Sequence, residues 1–221
     1  MRINHNISAL NTYRQLSINQ TLGNKSLEKL SSGLRINRSG DDAAGLAISE
    51  KMRGQIRGLD MASKNAQDAI SLIQTAEGNL NETHSILQRM RELAVQAASD
   101  TNDDTDRAQL QAEMDELIAE IDRIANDTEF NTQKLLDGSL SGSGNTLTFH
   151  IGANSGQNIK LNISAMTASG LGINGLKISG QSGADAAITT IQNAINTVSE
   201  ERSKLGAYQN RLEHTINNLG T

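Results

Sequence analysis

The residues that come closest to a recognisable chemical site are the acidic ones after position 99. Asp100, Asn102 and Asp104 occupy positions 1, 3 and 5 of a calcium-binding loop. Such a loop also needs a glycine at position 6, for its sharp turn, and a bidentate glutamate at position 12. Thr105 and Gln111 stand there instead. We therefore predict an exposed acidic turn at this point rather than a calcium site.

No other spacing predicts catalysis. Gly142 and Gly144 form a G-x-G that lacks the third glycine and the lysine of a phosphate-binding loop. Adjacent carboxylates such as Asp41 and Asp42 are explained by helix capping, because neighbouring helical residues do not face each other. The chain has no cysteine, and its four histidines are too scattered to indicate zinc binding. The sequence therefore predicts a protein that is not an enzyme and holds no cofactor and no metal.

Composition and charge narrow the class of protein further. The 221 residues include no proline, no tryptophan and only four aromatic side chains, which disfavours a deep globular core. A net charge of −5 argues against general nucleic-acid binding, and no apolar run is long enough to insert into a membrane. Residues 1–35 carry five basic residues and one acid, whereas residues 100–137 carry twelve acids and three basic residues. This asymmetry either attracts neighbouring copies or marks two solvated faces.

Apolar periodicity predicts long helices. We expect a first helix over residues 3–34, an N-cap at Asp41 or Asp42, and a second helix over 43–99 whose apolar residues recur at spacings of three and four. The second helix would extend about 85 Å at ~1.5 Å per residue, which predicts an elongated molecule. Gly54, Gly58 and Gly78, which lie inside this pattern, either admit a neighbouring backbone or are simply tolerated.

The rest of the chain predicts two more helices and a hairpin. A third helix over 105–127 carries a heptad seam made of Leu110, Met114, Leu117, Ile121 and Ile124. Alternating residues over 147–151 and 159–163 predict a β-hairpin, and 164–183 reads as irregular. A last helix over 184–219 places Arg202 and Gln209 at seam positions, where they either fix register or reach the solvent at the edge. The fold class is thus mainly α: an elongated antiparallel helical bundle or coiled coil with a small β-hairpin region.

The first helix has apolar residues but no evident partner in the chain. Ile3, Ile7 and Leu10 share one face, and further leucines continue the apolar surface less regularly. Such a surface is stable when another chain covers it, and head-to-tail association of identical subunits generates a filament. Membrane binding is the alternative, although it would favour more lysine and large aromatic residues. We predict that six residues pack against other subunits: Ile3, Ile7, Leu10, Leu27, Leu30 and Leu34.

Four long motifs resemble bacterial flagellin, the subunit of the flagellar filament. The chain opens with MRINHNI, and residues 30–50 read LSSGLRINRSGDDAAGLAISE. Residues 87–96 read LQRMRELAVQ, and residues 207–219 read AYQNRLEHTINNL. The resemblance runs along nearly the whole chain. Family members continue beyond the segment that matches residues 207–219 with another helix. It therefore implies a flagellin that lacks the family's C-terminal helical segment.

The resemblance implies an organisation and a set of partners. Residues 1–42 would form the inner-core helix and connector, 43–137 the long outer-core helices, 138–183 a short hairpin and variable segment, and 184–221 the last outer-core helix. The protein would polymerise with other flagellin subunits outside the cell, after type III export without a cleaved signal peptide. Export machinery, chaperones and the filament cap would be its other partners. A hook–filament junction or cap-associated protein of the same architecture is the alternative.

The resemblance also implies recognition by a vertebrate innate immune receptor. The matching positions are Gln88, Arg89, Leu93 and Glu113. An exposed helical arginine such as Arg89 is suited to insertion into a partner pocket. Alternatively, Arg89 pairs only with Glu92 or Asp115, or contacts the next subunit.

Overall fold

The structure, a computed structural model, describes residues 6–142 and 145–221. The predicted packing residue Ile3 and the glycine Gly144 lie outside these ranges. The chain forms two compact units, Met1–Arg57 and Gly58–Thr221. The division therefore falls inside the second helix.

The first unit begins with α1, which spans Ile7–Ser32. The Asn6 side chain caps its N-terminus by accepting the Ala9 N–H at 3.2 Å. Gly33 ends the helix with a φ of 69°, and its N–H donates to the Lys29 carbonyl. This left-handed cap ends α1 two residues before the predicted boundary, because glycine adopts that conformation without steric cost.

The second helix, α2, spans Ala43–Ala97. Asp42 acts as its N-cap, as predicted, because the Asp42 carboxylate accepts the Gly45 N–H at 2.9 Å. Arg107 lies beyond the C-terminus of α2. Its side chain donates hydrogen bonds to the Ala97 carbonyl at 3.0 Å and to the Ser99 carbonyl at 3.1 Å. These bonds satisfy free carbonyls at the helix end and link α2 to the helix that follows.

The third helix, α3, spans Asp104–Asp127 and begins with a capping box between Asp103 and Asp106. Its buried residues are Met114, Ile118, Ile121 and Ala125. Four of the five predicted seam residues therefore lie in the core or pack against it, and Ile124 is the exception. Met114 and Ile121 are in the core, whereas the other three predicted positions are only half-buried: Leu110, Leu117 and Ile124.

The fourth helix, α4, spans Gln181–Gly220, three residues longer at its start than expected. It packs with α2 and α3 around the core of the second unit, which includes Ile73, Leu87, Ile191 and Leu205. Of Gly54, Gly58 and Gly78, only Gly58 meets another segment. A Cβ there would lie 2.9 Å from the Cβ of Ala153, so the absent side chain lets the 151–157 loop approach the helix.

Two antiparallel pairs of strands complete the second unit. Strands β3 (Leu147–His150) and β4 (Asn158–Leu161) form the predicted hairpin, with Phe149 opposite Ile159. Strands β1 (Glu129–Phe130) and β2 (Gln133–Lys134) form a second, unpredicted hairpin. The two residues that connect β1 to β2, Asn131 and Thr132, have φ values of 50° and 66°. Such a turn favours glycine, and this sequence has none there.

Replacing Thr132 with glycine is expected to stabilise the protein. A β-branched residue is strained in the left-handed region, at a cost of about 1–2 kcal/mol. Glycine removes this strain but makes the unfolded chain more flexible, so we expect a net gain of about 0.5–1 kcal/mol. Urea unfolding followed by circular dichroism measures the change. Thr197→Gly, in the helical part of α4, is the matched control and should destabilise the protein by about 0.3–0.5 kcal/mol.

Residues 164–180 contain no helix or strand, in agreement with the sequence, yet they belong to the core. Met166, Ala168, Ile173 and Ile178 are fully or almost fully buried. Side chains from two helices hold the segment in place. Asp122 of α3 accepts the Ala168 N–H at 2.7 Å, and Glu201 of α4 accepts the Ser164 hydroxyl at 3.0 Å. We call residues 164–180 the buried segment.

Candidate functional site

The first unit exposes large apolar side chains on every side of α1, in which no residue is buried. Ile7 is 71% exposed and Leu30 80% exposed. At about 100° per residue, Leu30 lies about 140° and Leu16 about 180° around the helix axis from Ile7. A helix that is apolar all round is normally buried within a larger body. Four of the exposed apolar residues were absent from the predicted packing set: Tyr13, Leu16, Ile18 and Leu22.

A second exposed apolar surface lies on the early part of α2. Ile48, Met52 and Ile56 recur every four residues, and each is more than half exposed. The same helix becomes buried from Ala62 onward, where α3 and α4 pack against it. The early stripe therefore has the pattern of a packing face but lacks the packing. We call α1 and this stripe together the open apolar surface.

A network of polar contacts holds the connector between α1 and α2 against the end of α1. The carboxylate of Asp41 is 2.8 Å from the Lys25 ammonium and 3.9 Å from that of Lys29, and its side chain is only 8% exposed. It also accepts the Asn37 N–H at 3.4 Å. The hydrogen bond from Lys25, above all, lowers the pKa of Asp41. A second pair, Arg38 with Glu28 at 2.8 Å, fixes the same connector.

Acidification is expected to release this connector. Because the pKa of Asp41 is lower in the folded chain than its ordinary value near 3.9, the unfolded chain takes up the proton first. The stabilisation is therefore present at neutral pH and is lost as the pH falls below about 4 through the lowered pKa. The protection of the Asn37 amide, that is its exchange rate relative to the intrinsic rate at each pH, should fall over that range when it is followed by NMR. Asp41→Asn should reduce this pH dependence, since only the pair of Arg38 with Glu28 remains, and a pH dependence as large as that of the unmodified chain would contradict our assignment.

Arg89 links α2 to α3 on the surface of the second unit. Its guanidinium lies 2.9 Å from Glu113 and 3.1 Å from Glu92. The hydrogen bond to Glu113 and then that to Glu92 raise the pKa of Arg89. The side chain is half exposed, so these pairs orient the arginine without hiding it from a partner. The alternative pairing with Asp115 is not formed, because the Asp115 carboxylate instead accepts a hydrogen bond from Gln111.

The four residues proposed for receptor recognition do not share one environment. Gln88, Arg89 and Glu113 are exposed, whereas Leu93 is fully buried in the core. Leu93 therefore supports this surface from below and cannot itself touch a partner. A groove of about 650 Å3 lies beside these residues between α2 and α4, and exposed Val95 lines it together with Gln88 and Ile195. The sequence did not predict Val95 as a site residue, because Val95 lies outside the buried apolar stripe of α2.

The part of the chain that the structure describes holds no candidate metal site and no helix that could cross a membrane. Residues 6–142 and 145–221 contain no group of three or more potential metal ligands. Within the same ranges, no helix has the length and hydropathy needed to cross a membrane. Asp100 and Asn102 lie in the exposed turn between α2 and α3, and Asp104 is the first residue of α3. The main feature of the described residues is therefore the set of large apolar side chains exposed to solvent. Such a surface is typical of a helical protein that packs against other chains.

Comparison with known proteins identifies the family. A model of the bacterial flagellin N-terminal helical region matches residues 3–141, and one of the bacterial flagellin C-terminal helical region matches residues 188–221. The chain belongs to the bacterial flagellin family. It is 56% identical to a flagellin of Halalkalibacterium halodurans, an alignment that covers 99% of this chain and 80% of that protein. It is 55% identical to a flagellin of Bacillus subtilis, with coverage of 99% and 82%.

Solved structures agree with this assignment. Bacillus cereus flagellin superposes with a TM-score of 0.61 at 33% identity, covering 71% of this chain and 88% of that structure. A putative flagellar hook-associated protein from Vibrio parahaemolyticus gives a TM-score of 0.64 at 16% identity, covering 82% and 93%. The second likeness shows only that the fold is shared.

Proposed function

We propose that this chain is a structural subunit that self-assembles into the bacterial flagellar filament. The observation that carries the proposal is the open apolar surface, whose residues on α1 face all directions around the helix. A single neighbouring helix would cover only one side of α1, so complete burial of its apolar side chains requires several neighbours. A filament of identical subunits provides them, because each chain is in contact with several copies of itself.

The alternative, a hook–filament junction or cap-associated protein, is not favoured. Its support is a fold shared at 16% identity, whereas relatives that match almost the whole chain at 55% and 56% identity are named flagellin.

The proposal includes a route and a location. The protein is exported unfolded through the flagellar export machinery without a cleaved signal peptide, with the help of chaperones, and is placed under the cap outside the cell. The absence of cysteine and proline supports this route, since no disulfide and no proline isomerisation delays refolding after export. Its role there is mechanical, and it catalyses no reaction.

Electron microscopy of the purified chain tests the proposal. At raised salt concentration, which screens repulsion between acidic subunits, the protein should form long helical filaments that sediment. Short flagellin filaments added as seeds should elongate. Attachment only at filament ends, without elongation, would indicate a cap or junction protein and would contradict the proposal.

We also propose that the exposed surface around Arg89 is recognised by a vertebrate innate immune receptor. Arg89→Ala is expected to reduce receptor signalling by the monomer at least tenfold, because an oriented arginine at an interface centre commonly contributes about 2 kcal/mol or more. Reporter cells that express the receptor measure the effect. Arg123→Ala on α3 is the matched control, since Arg123 also pairs with two acids, Glu120 and Asp127. Equal losses in both variants would contradict the proposed site.

A further inference from the structure

A pocket of about 380 Å3 opens in the second unit beside the turn that connects β1 to β2. The side of α2 forms one wall, that turn forms a second, and the end of β3 forms the third. We call it the hairpin pocket. Its lining includes Asn65, Asp68, Phe130, Asn131, Phe149 and His150. None of these residues belongs to the open apolar surface or to the predicted receptor site, so the proposed function leaves the pocket unexplained.

The aromatic residues are concentrated here. Phe130 and Phe149 are the only phenylalanines in the chain, and both line this pocket. Each is half-buried and packs against the core while leaving part of its side chain at the surface. The pocket therefore offers a ligand two fixed apolar surfaces.

The polar residues around the two rings offer both donors and acceptors. Asp68 is exposed and presents carboxylate oxygens, whereas Asn131 is exposed and presents both an amide N–H and a carbonyl oxygen. The described residues that line the pocket include no lysine or arginine, so it lacks the usual partners of phosphate or carboxylate ligands. This chemistry suits a neutral ligand that combines an apolar face with hydroxyl groups, as a pyranose ring does.

The walls are held in place before any ligand arrives. The Asn65 side chain of α2 donates to the His150 carbonyl at 3.1 Å and so fixes the end of β3 against the helix. The turn keeps both Asn131 and Thr132 at positive φ, while Phe130 is paired with Gln133 across the hairpin. Strained backbone of this kind concentrates at ligand-binding sites, where it fixes geometry in advance. Here the turn places Asn131 and Phe130 in the wall of the same pocket.

We propose that the hairpin pocket binds a neutral pyranose unit of a glycan. One face of the sugar ring packs on the phenylalanine side chains, and its hydroxyls bond to Asp68 and Asn131. The volume accommodates one or two sugar units. A ligand with so few atoms in an open pocket is expected to bind with a dissociation constant in the mM range.

NMR titration of the monomeric full chain tests the proposal. Methyl β-glucopyranoside and methyl β-galactopyranoside are the probes, each added to 15N-labelled protein up to about 50 mM, well above the expected dissociation constant. Saturable shifts should appear at the amides of Phe130, Asn131 and Phe149, and at least one of the two sugars should produce them. Absence of saturable shifts with both sugars would overturn the proposal.

Two variants locate the binding. Asp68→Asn keeps the shape of the pocket but removes the charged acceptor, and it should weaken binding roughly tenfold. Asp185→Asn, an equivalent change at an exposed position of α4, should leave binding unchanged. Phe149→Leu should abolish the shifts, with unperturbed spectra elsewhere showing that the chain still folds. Equal binding by Asp68→Asn and the unmodified chain would overturn the proposal, as would preference for an acidic sugar such as methyl glucuronide.

Discussion

Replacing Ile7 and Leu10 with aspartate is expected to abolish polymerisation without changing the stability of the monomer. Both side chains are largely exposed on α1, so the monomer has no packing to lose. In the filament each should be buried, and burial of an isoleucine or leucine contributes about 1.5–3 kcal/mol. Loss of both contributions alone raises the critical concentration roughly 10²–10⁴-fold, and burying two carboxylates raises it further. Sedimentation over a range of protein concentrations measures this effect, and thermal unfolding checks the monomer.

A conservative exchange at the same positions serves as the control. Ile7→Leu with Leu10→Ile keeps the apolar surface and changes only its shape, so filaments should still form with a critical concentration within about tenfold of the original. Polymerisation by the aspartate variant would show that α1 is not a subunit contact. A lowered melting temperature of its monomer would show that α1 packs within its own chain.

The sequence predicted the helices well because their periodic apolar residues report burial directly. It was harder to predict which of two adjacent apolar residues is buried. Leu117 and Ile118 both fit the period of α3, and the structure buries Ile118. The heptad rule assumes one partner helix, whereas α3 packs among α2, α4 and the buried segment, which turns its buried face toward Ile118 and Ala125.

The hairpin formed by β1 and β2 was missed for a local reason. Its strands are two residues long, which is too short for alternation to be visible. Its turn contains Asn131 and Thr132 in place of the glycine that signals such a turn. The hairpin pocket was missed with it, since Asn65 and His150 are 85 positions apart in sequence and meet only in the fold.

The open apolar surface was partly predictable. The apolar content of α1 and the absence of a partner in the chain indicated an uncovered helix, and Ile7, Leu10, Leu27, Leu30 and Leu34 are indeed exposed. The stripe of Ile48, Met52 and Ile56 has the same spacing as the buried part of α2. Periodicity identifies a packing face but does not tell whether the partner belongs to the same chain, so only the structure separates the two parts.

The sequence predicted that the buried segment is irregular but did not predict its burial. Its backbone forms no ladder and no helix, so its N–H and C=O groups need other partners. Gln111 of α3 supplies two: its amide donates to the Leu176 carbonyl at 3.0 Å, and its side-chain oxygen accepts the Ile178 N–H at 2.6 Å. Asp122 supplies a third partner, since its carboxylate accepts the Ala168 N–H. Nothing in the sequence indicates that these polar residues of α3 bind to a segment 46 to 67 positions away.

Replacing Gln111 and Asp122 with alanine is therefore expected to detach the buried segment from α3. The Ala168 and Ile178 N–H groups would lose their acceptors inside the core, at a cost of about 1–3 kcal/mol each. The two losses should nearly add to about 2–6 kcal/mol, a large part of the 5–15 kcal/mol that stabilises a typical domain. Urea unfolding measures the total, and hydrogen exchange at the two amides measures the local release.

Isosteric variants separate lost hydrogen bonds from lost packing. Asp122→Asn retains an acceptor for Ala168, and Gln111→Glu retains one for Ile178 while removing the donor to Leu176. Each should therefore destabilise the chain less than the corresponding alanine variant. If the asparagine and alanine variants at 122 unfold at the same urea concentration, the Ala168 hydrogen bond contributes nothing. The α3 end of the segment would then depend on the Gln111 hydrogen bonds and on burial of Met166, Ile173 and Ile178, because neither differs between the two substitutions.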